Sequence, residues 1–428
     1  MMMSWSARFR LRQYAKASLW IVPLVGLLLG AACAEWAAAV DGAGFLPGDW
    51  RYSATTASTV LSSVVGAMVA LLGFVVTIGV LVIQQATGTL SPRYMRLWYR
   101  DRLQKAVLAT FTGTFAYAFS LLRRIEADSV PDLGVTLSGV AVAVSLLLLL
   151  VYLNRFTHNL RPVAIADIVG RLGEKVMLHG TEHIRRAEAP DGAQVPPAGP
   201  ADGIRTERGG VLQAFDAAGL VKAAVRHDCV LVLAHHVGDF VPPGTTLVEV
   251  HGAQRGPDPR RTGGLIALGA ERTIEQDPAF ALRILVDIAI RALSPAVNDP
   301  TTAVQVLNHI DTFLHAIGRV PLRSRYVLAD RHGRPRLVVP GRGWDDYLQL
   351  AVTEIREYGA TSLQVCRRLR ALLEDLLRTQ SAEQLPAIRA QLTLLDEAVR
   401  RTFTDPLRRA DALTPDRQGI GSGRRPQA

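Results

Sequence analysis

One stretch of the chain carries more polar chemistry than its local structure needs. Arg272-Thr273 and Gln276-Asp277 lead into an apolar run, and Ser294-Pro295-Ala296-Val297-Asn298-Asp299-Pro300-Thr301-Thr302 closes it. Asp277-Pro278 and Asp299-Pro300 each read as an Asp N-cap with Pro at the first helical position, so two helices are predicted. The first, about Pro278–Leu293, is apolar nearly all round except for Arg283, Asp287 and Arg291, which recur every four residues on one stripe. Such a ladder supports an exposed helix by a few tenths of a kcal/mol per pair. Buried charges are costly unless paired, so an occluded stripe would point to a site or a subunit interface. The second helix places Ala303, Leu307, Ile310, Leu314 and Ile317 on one face, ready to pack on the first. The corner between them holds two prolines, two Asx side chains and three hydroxyls, more than a cap uses. Arg272, Asp277, Asp287, Arg291, Ser294, Asn298, Asp299 and Thr302 are therefore the candidate ligand or gating site, for a small polar molecule or an ion. Asn298 is its best test, because Asp299 alone suffices as the cap.

Catalytic templates are missing. The chain has no Gly-x-Ser-x-Gly elbow, P-loop, dinucleotide-binding glycine motif after a strand, or His-Glu-x-x-His. Ser294 has no partner near it in sequence, and the reading leans away from an enzyme. His227, His235, His236 and His251, with Asp228 and Asp239, have the donor types of a metal site. Neighbours on a strand point to opposite faces, so His235 and His236 cannot both chelate from an extended segment. Surface or loop histidines are the expectation, and no metal or cofactor is assigned.

What must position these residues is set by four apolar stretches, about Leu19–Val40, Val60–Ile83, Ala106–Leu122 and Leu133–Tyr152. A bilayer core needs about 20 mostly apolar helical residues. No alternation suggests a barrel, so four transmembrane helices are predicted. Arg8, Arg10, Arg12 and Lys16 precede the first; Arg93, Arg96, Arg100, Arg102 and Lys105 lie between the second and third; Arg155 and Arg161 follow the fourth. The remaining loops carry Arg51 beside Asp41 and Asp49, and Arg123 and Arg124 beside Glu126, Asp128 and Asp132. The positive-inside rule then puts both termini in the cytoplasm. The first stretch reads as a retained anchor, since it is too long for a signal peptide and carries Glu35-Trp36 where small residues should precede a cleavage site.

In the second span Ser62, Gly66, Ala70, Gly73 and Thr77 recur at four, four, three and four, a face small enough for close helix packing. It packs either against a neighbouring span of the same chain or in a subunit contact or pore wall. Thr110, Thr114 and Ala118 of the third span are a plausible partner face. Glu35, an acid near the outer end of the first span, is expected to reach the interface rather than serve transport.

The net charge of +10 is explained partly by this topology and partly by a basic tail, so no nucleic-acid partner is inferred. Four of the 48 Lys and Arg residues are Lys, a skew that weakens any single Arg as evidence for anion binding. Cys33, Cys229 and Cys366 suggest neither a disulfide nor a zinc site. The fold expected is a multi-pass α-helical membrane domain over 1–156, then a cytoplasmic α+β region. That region divides into a helix and linker (157–208), a small β-barrel-like module (209–270) and a mainly helical domain (271–403), ending in a disordered basic tail (404–428). Within it, Val230–Leu233 and Thr246–Val250 read as strands joined through Gly238-Asp239-Phe240-Val241-Pro242-Pro243-Gly244, a turn similar to those of biotinyl/lipoyl domains but without their Lys. Tyr326–Asp330 and Arg336–Val339 suggest a short hairpin, and two long helices, about Asp345–Leu377 and Ala382–Phe403, an antiparallel pair.

The run from Arg272-Thr273 through Leu285-Val286-Asp287-Ile288-Ala289, Arg291-Ala292-Leu293-Ser294-Pro295 and Asn298-Asp299-Pro300, with Thr302-Ala303 after it, resembles the domain-of-unknown-function 2254 family of bacterial predicted membrane proteins. Ser91-Pro92-Arg93, Arg100-Asp101-Arg102, Gly238-Asp239-Phe240-Val241 and Ile355-Arg356 with Tyr358-Gly359 fit the same order, while His235-His236 departs from it. The resemblance implies an integral membrane protein and supplies no activity. The residues themselves favour an oligomeric channel- or transport-like assembly in the lipid bilayer with a cytoplasmic regulatory domain. The alternative is a membrane-anchored enzyme or ligand sensor with its site at the Asn298-Asp299 corner.

Overall fold

The computed structural model describes residues 3–40, 51–89, 100–126, 129–159, 161–189, 202–252 and 256–421. The loop carrying Asp41 and Asp49, the segment with Arg93 and Arg96, and most of the Pro- and Gly-rich linker lie outside the described residues. The chain divides into two units, Gln13–Arg161 and Met1–Arg12 together with Pro162–Ala428.

After a first helix α1 (Trp5–Ala17), the first unit is built from α2 (Ile21–Val40), α3 (Ala54–Thr89), α4 (Arg102–Leu122) and α5 (Asp132–Asn159). Each of these four holds a segment long and apolar enough to cross a membrane. At 36 residues α3 is about 54 Å long, well beyond a hydrocarbon core of about 30 Å. The closest packing is a glycine seam between α2 and α4. A Cβ on Gly26 would overlap Ala109 O, and one on Gly30 would overlap Gly113 O, so only hydrogen fits at either place. In lipid, where apolar burial gives helices no preference for one another, such close contact is a main source of association. Elsewhere in the unit Leu61, Tyr117, Ala118, Leu121 and Val135 form one buried cluster, and Val75, Val107, Phe111 and Leu149 another. Some polar groups inside are bonded within the unit: Thr112 Oγ1 donates to Pro23 O at 2.9 Å, and Tyr117 OH to Gly134 O at 3.1 Å. Glu35 pairs with Arg124, both about half exposed.

The second unit starts with α6 (Pro162–Ala187) and continues through β1 (Asp202–Arg205), β2 (Gly210–Phe215), α7 (Ala217–Arg226), β3 (Val230–Leu233), β4 (Phe240–Val241), β5 (Thr246–His251), α8 (Pro259–Gly263) and β6 (Ile266–Gly269). Then come α9 (Pro278–Ala292), α10 (Pro300–Gly318), β7 (Arg325–Ala329), β8 (Pro335–Pro340), α11 (Trp344–Gly359), α12 (Leu363–Thr379), α13 (Leu385–Thr402) and α14 (Pro406–Leu413). The described strands make two open sheets, β1-β5-β3-β8-β7 and β4-β2-β6, so the barrel-like module is not what forms. The reason is long-range. The hairpin β7–β8 joins the larger sheet by parallel pairing of β8 with β3, Leu231 facing Leu337 and Val232 facing Val338. Leu220, Leu231, Val248 and Leu337 then share one core.

A helical layer surrounds α9, which is buried on nearly every side and packs against α6, α10 and α11. Gly173 permits the approach of α6, because a Cβ there would meet Ala281 at 2.6 Å and Phe313 at 2.8 Å. The long helix expected from Asp345 to Leu377 is broken after Gly359. That glycine lies too close to Val365 for a side chain, and Ser362 restarts the chain as the N-cap of α12. The stretch expected to be disordered from 404 is instead ordered to 421. It forms α14, after which Asp416 accepts from the amides of Gln418, Gly419 and Gly421 at 2.7–3.0 Å. The buried Arg367 holds it by donating to Thr414 O and Gly421 O.

Candidate functional site

The eight polar candidates lie along α9 at three separate places. At its start, Asp277 caps the helix, Oδ1 accepting from Phe280 N at 3.1 Å, and is 2% exposed. Arg272 donates to the other oxygen, Oδ2, from Nε at 2.9 Å and Nη2 at 2.7 Å, and its guanidinium lies over the Phe280 ring. Burial raises the Asp277 carboxyl above the ordinary carboxylate range, outweighing Arg272. A turn from the β region presses on the pair. Gly238 has φ +99°, and a Cβ there would sit 2.5 Å from both Arg272 Nη2 and Asp277 Oδ2. Only glycine meets both demands. Beside it Asp239 accepts from His236 N at 2.8 Å, and Arg342 Nη2 lies 3.9 Å from Asp239 Oδ1. His236 Nε2 is 3.3 Å from Gly341 O, which needs the proton on that nitrogen. Burial first, and the Asp277 charge next, push the Tyr347 hydroxyl well above its usual range.

Midway along α9, Arg283 is a clamp. Its Nε donates to Asp287 Oδ1 at 2.7 Å, while Nη1 and Nη2 grip the two carboxylate oxygens of Glu354 on α11 at 2.6 Å each. Asp287 is 8% exposed, so its charge is buried and paired. At the far end, Ser294 Oγ donates to Arg291 O at 2.7 Å. Asn298 is exposed, with φ +47°, and its amide N–H donates to Ser294 O at 2.8 Å. Asp299 caps α10, accepting from Thr302 N at 3.0 Å and Thr302 Oγ1 at 2.5 Å.

Fifteen residues of helix span about 22 Å, so one small ligand cannot touch both Asp277 and Asn298. The structure thus joins Arg272 with Asp277, and Ser294, Asn298, Asp299 and Thr302 with the backbone around Arg291, and keeps the groups apart. Gly238, Asp239, Arg342, Tyr347 and Glu354 complete these places and were not among the candidates. The Gly-Asp turn was visible in the sequence, but nothing local marks Arg342 or Glu354, which arrive from loops and helices far along the chain.

The histidines are dispersed: His235 Nε2 contacts Thr246 O at 3.0 Å and His251 contacts Glu249 at 3.3 Å. Among the described residues no three His, Cys, Asp or Glu side chains gather as a metal site. In the membrane unit, Ser62, Gly66, Ala70, Gly73 and Thr77 are all exposed, on the side of α3 away from the buried Leu61, Met68, Val75 and Ile78. A Cβ on Gly66 or Gly73 would have no atom within 4 Å among the described residues.

The signature turns, the apolar helices and the run from Arg272 to Thr302 together match a family model described as predicted membrane protein (DUF2254) over residues 16–375. The chain belongs to the DUF2254 family. Relatives include uncharacterised proteins of Mycobacterium bovis and Mycobacterium tuberculosis, each 29% identical over 419 residues, covering 94% of this chain and 80% of the relative. No solved structure matches the chain. For this DUF2254 protein the comparisons support a membrane protein and carry no activity.

Proposed function

We propose that the protein is the subunit of an oligomeric, channel- or transport-like assembly, with the small-residue face of α3 as the contact between copies or the wall of a central path. One observation carries this reading: Gly66 and Gly73 face open space, whereas close packing within the chain uses a different seam, Gly26 and Gly30 against Ala109 and Gly113. Small residues at helical spacing favour close helix approach in lipid, and among the described residues this face has no partner helix in its own chain. Hydroxyls on the same side are internally satisfied, Ser63 to Thr59 O and Thr77 to Gly73 O at 2.8 and 2.9 Å, so they sit in an apolar or a wet lining without strain on the backbone. The cytoplasmic α+β unit would regulate the assembly.

Cysteine crosslinking in native membranes tests this. Ser62→Cys and Thr77→Cys should each give a covalent dimer, and Met68→Cys, on the buried side, should not. Gly66→Leu and Gly73→Leu should lower the oligomer mass in detergent while leaving helix content unchanged. Monomeric protein in native membranes with no crosslink at either position would refute the reading. A second reading, a ligand sensor, rests on the polar cluster of Asp239, Arg272, Asp277 and Arg342. There Arg342 is part-exposed, lies 3.9 Å from Asp239 Oδ1 and also acts on the Asp277 charge. Loss of a regulatory response in Arg342→Gln, in an intact oligomer, would support it.

A further inference from the structure

The helix before the first span has the build of a membrane-surface element. Ala7, Leu11 and Tyr14 follow at intervals of four and three, which gathers them in a stripe about 60° wide at 3.6 residues per turn. Leu11 and Tyr14 are 56% and 57% exposed, so the stripe lies open among the described residues. Arg10 borders it on one side and Arg8 on the other, Arg12 lies farther round the helix, and all three are exposed. The opposite face is the covered one: Trp5 stacks on Phe9 with ring centroids 5.3 Å apart, and Ser6 is buried. An apolar strip edged by arginines is the pattern of a helix lying in a bilayer interface, its strip in the acyl boundary and its guanidiniums at the phosphates.

The position of the helix agrees. Its last turn is fixed beside the start of α4, where Lys105 Nζ donates to Lys16 O at 2.6 Å and Arg100 reaches Gln13. Apolar α2 begins at Ile21, four residues beyond Ala17. Between them Trp20 donates its indole N–H to Tyr14 OH at 3.3 Å, an aromatic pair of the kind that settles at headgroup level.

We propose that α1 binds the surface of an anionic phospholipid leaflet, Leu11 and Tyr14 inserted and Arg8, Arg10 and Arg12 on the headgroup phosphates. The charge of the strip's borders selects this occupant over a neutral bilayer, since basic residues near an anionic surface each strengthen binding. The test uses the full chain in nanodiscs, with Cys33, Cys229 and Cys366 replaced by Ala and one spin label at Leu11→Cys, Tyr14→Cys or Arg12→Cys. In phosphatidylcholine mixed with phosphatidylglycerol, labels at 11 and 14 should collide with oxygen and avoid a water-soluble nickel chelate, and the label at 12 should do the reverse. The triple variant Arg8→Gln/Arg10→Gln/Arg12→Gln should lower the equilibrium constant for embedding about 100-fold. The native-cysteine chain gives a second readout: phosphatidylglycerol should raise the melting temperature of the wild type but not of the triple variant. Nickel access at 11 and 14 equal to that at 12 would overturn the proposal, as would shielding from both reagents, which means a protein partner covers the strip. Equal embedding in phosphatidylcholine alone would overturn the anionic selection.

Discussion

At the scale of the residue, Asn298 has two jobs that a substitution can separate. Its backbone is left-handed at φ +47°, a conformation that costs most side chains roughly 1–2 kcal/mol and that Asn and Gly tolerate. Its amide side chain is exposed at the corner, where a ligand could reach it. Asn298→Gly keeps the turn and removes the amide; Asn298→Ala removes the amide and strains the turn. If the corner is only a turn, Asn298→Gly should be as stable and as active as wild type, with Asn298→Ala less stable by about 1 kcal/mol in denaturant unfolding. If the corner is a site, both variants should lose the phenotype that deletion of the protein exposes, at normal abundance. The sequence made Asn298 prominent by its company of caps and prolines. It could not display the left-handed backbone, which is set when Asp299 N donates back to Ala292 O at 2.7 Å and folds the corner.

At the scale of the element, the stripe on α9 shows what periodicity can and cannot tell. Spacing by four put Arg283 and Asp287 within reach of each other, and they do pair. The second carboxylate, Glu354, comes from α11, and no pattern in either helix announces it. The caps Asp277 and Asp299 and the apolar spans were equally legible, because each depends on a few adjacent residues. The parallel β3–β8 pairing was not, being fixed by a core assembled from distant segments. The clamp makes a quantitative prediction. Arg283→Met would remove from the buried Asp287 charge the guanidinium that pairs with it at 2.6 Å, and should destabilise the protein by about 2–3 kcal/mol. Glu354→Gln, at a side chain 43% exposed, should cost under about 1 kcal/mol. Arg283→Met/Asp287→Leu should recover much of the loss, since it removes the buried charge as well. Melting temperatures of the three variants in one detergent check the order; equal losses in Arg283→Met and Glu354→Gln would mean that α11, and not the buried Asp287, sets the energetics.

At the scale of the whole molecule, the two units ask different things of the same chain. The membrane unit keeps its tightest seam, Gly26 and Gly30 against Ala109 and Gly113, for its own helices and leaves a second small-residue face open among the described residues. Several arginines of the other unit pair within it: Arg368 binds Asn308 and Asp311 at 2.7 Å each, and Arg336 binds Asp228 and Asp330. Those charges are structural, and the charge that bears on orientation is the cluster around the spans. Arg8, Arg10, Arg12 and Lys16 before α2, and Arg100, Arg102 and Lys105 at the start of α4, fall at the ends that the positive-inside rule assigns to the cytoplasm. At the opposite end of α4 the described basic residues are Arg123 and Arg124, fewer than at its start, and the rule counts Lys and Arg whether or not they are paired. A reporter that works only in the cytoplasm should therefore be active when fused after Arg161 or at Ala428, and silent when inserted within residues 41–53. Replacing Arg8, Arg10 and Arg12 by Gln should weaken this preference without reversing it, because the cluster at the start of α4 remains. Activity at 41–53 with silence at Ala428 would invert the topology, and would place α1 at the outer surface instead.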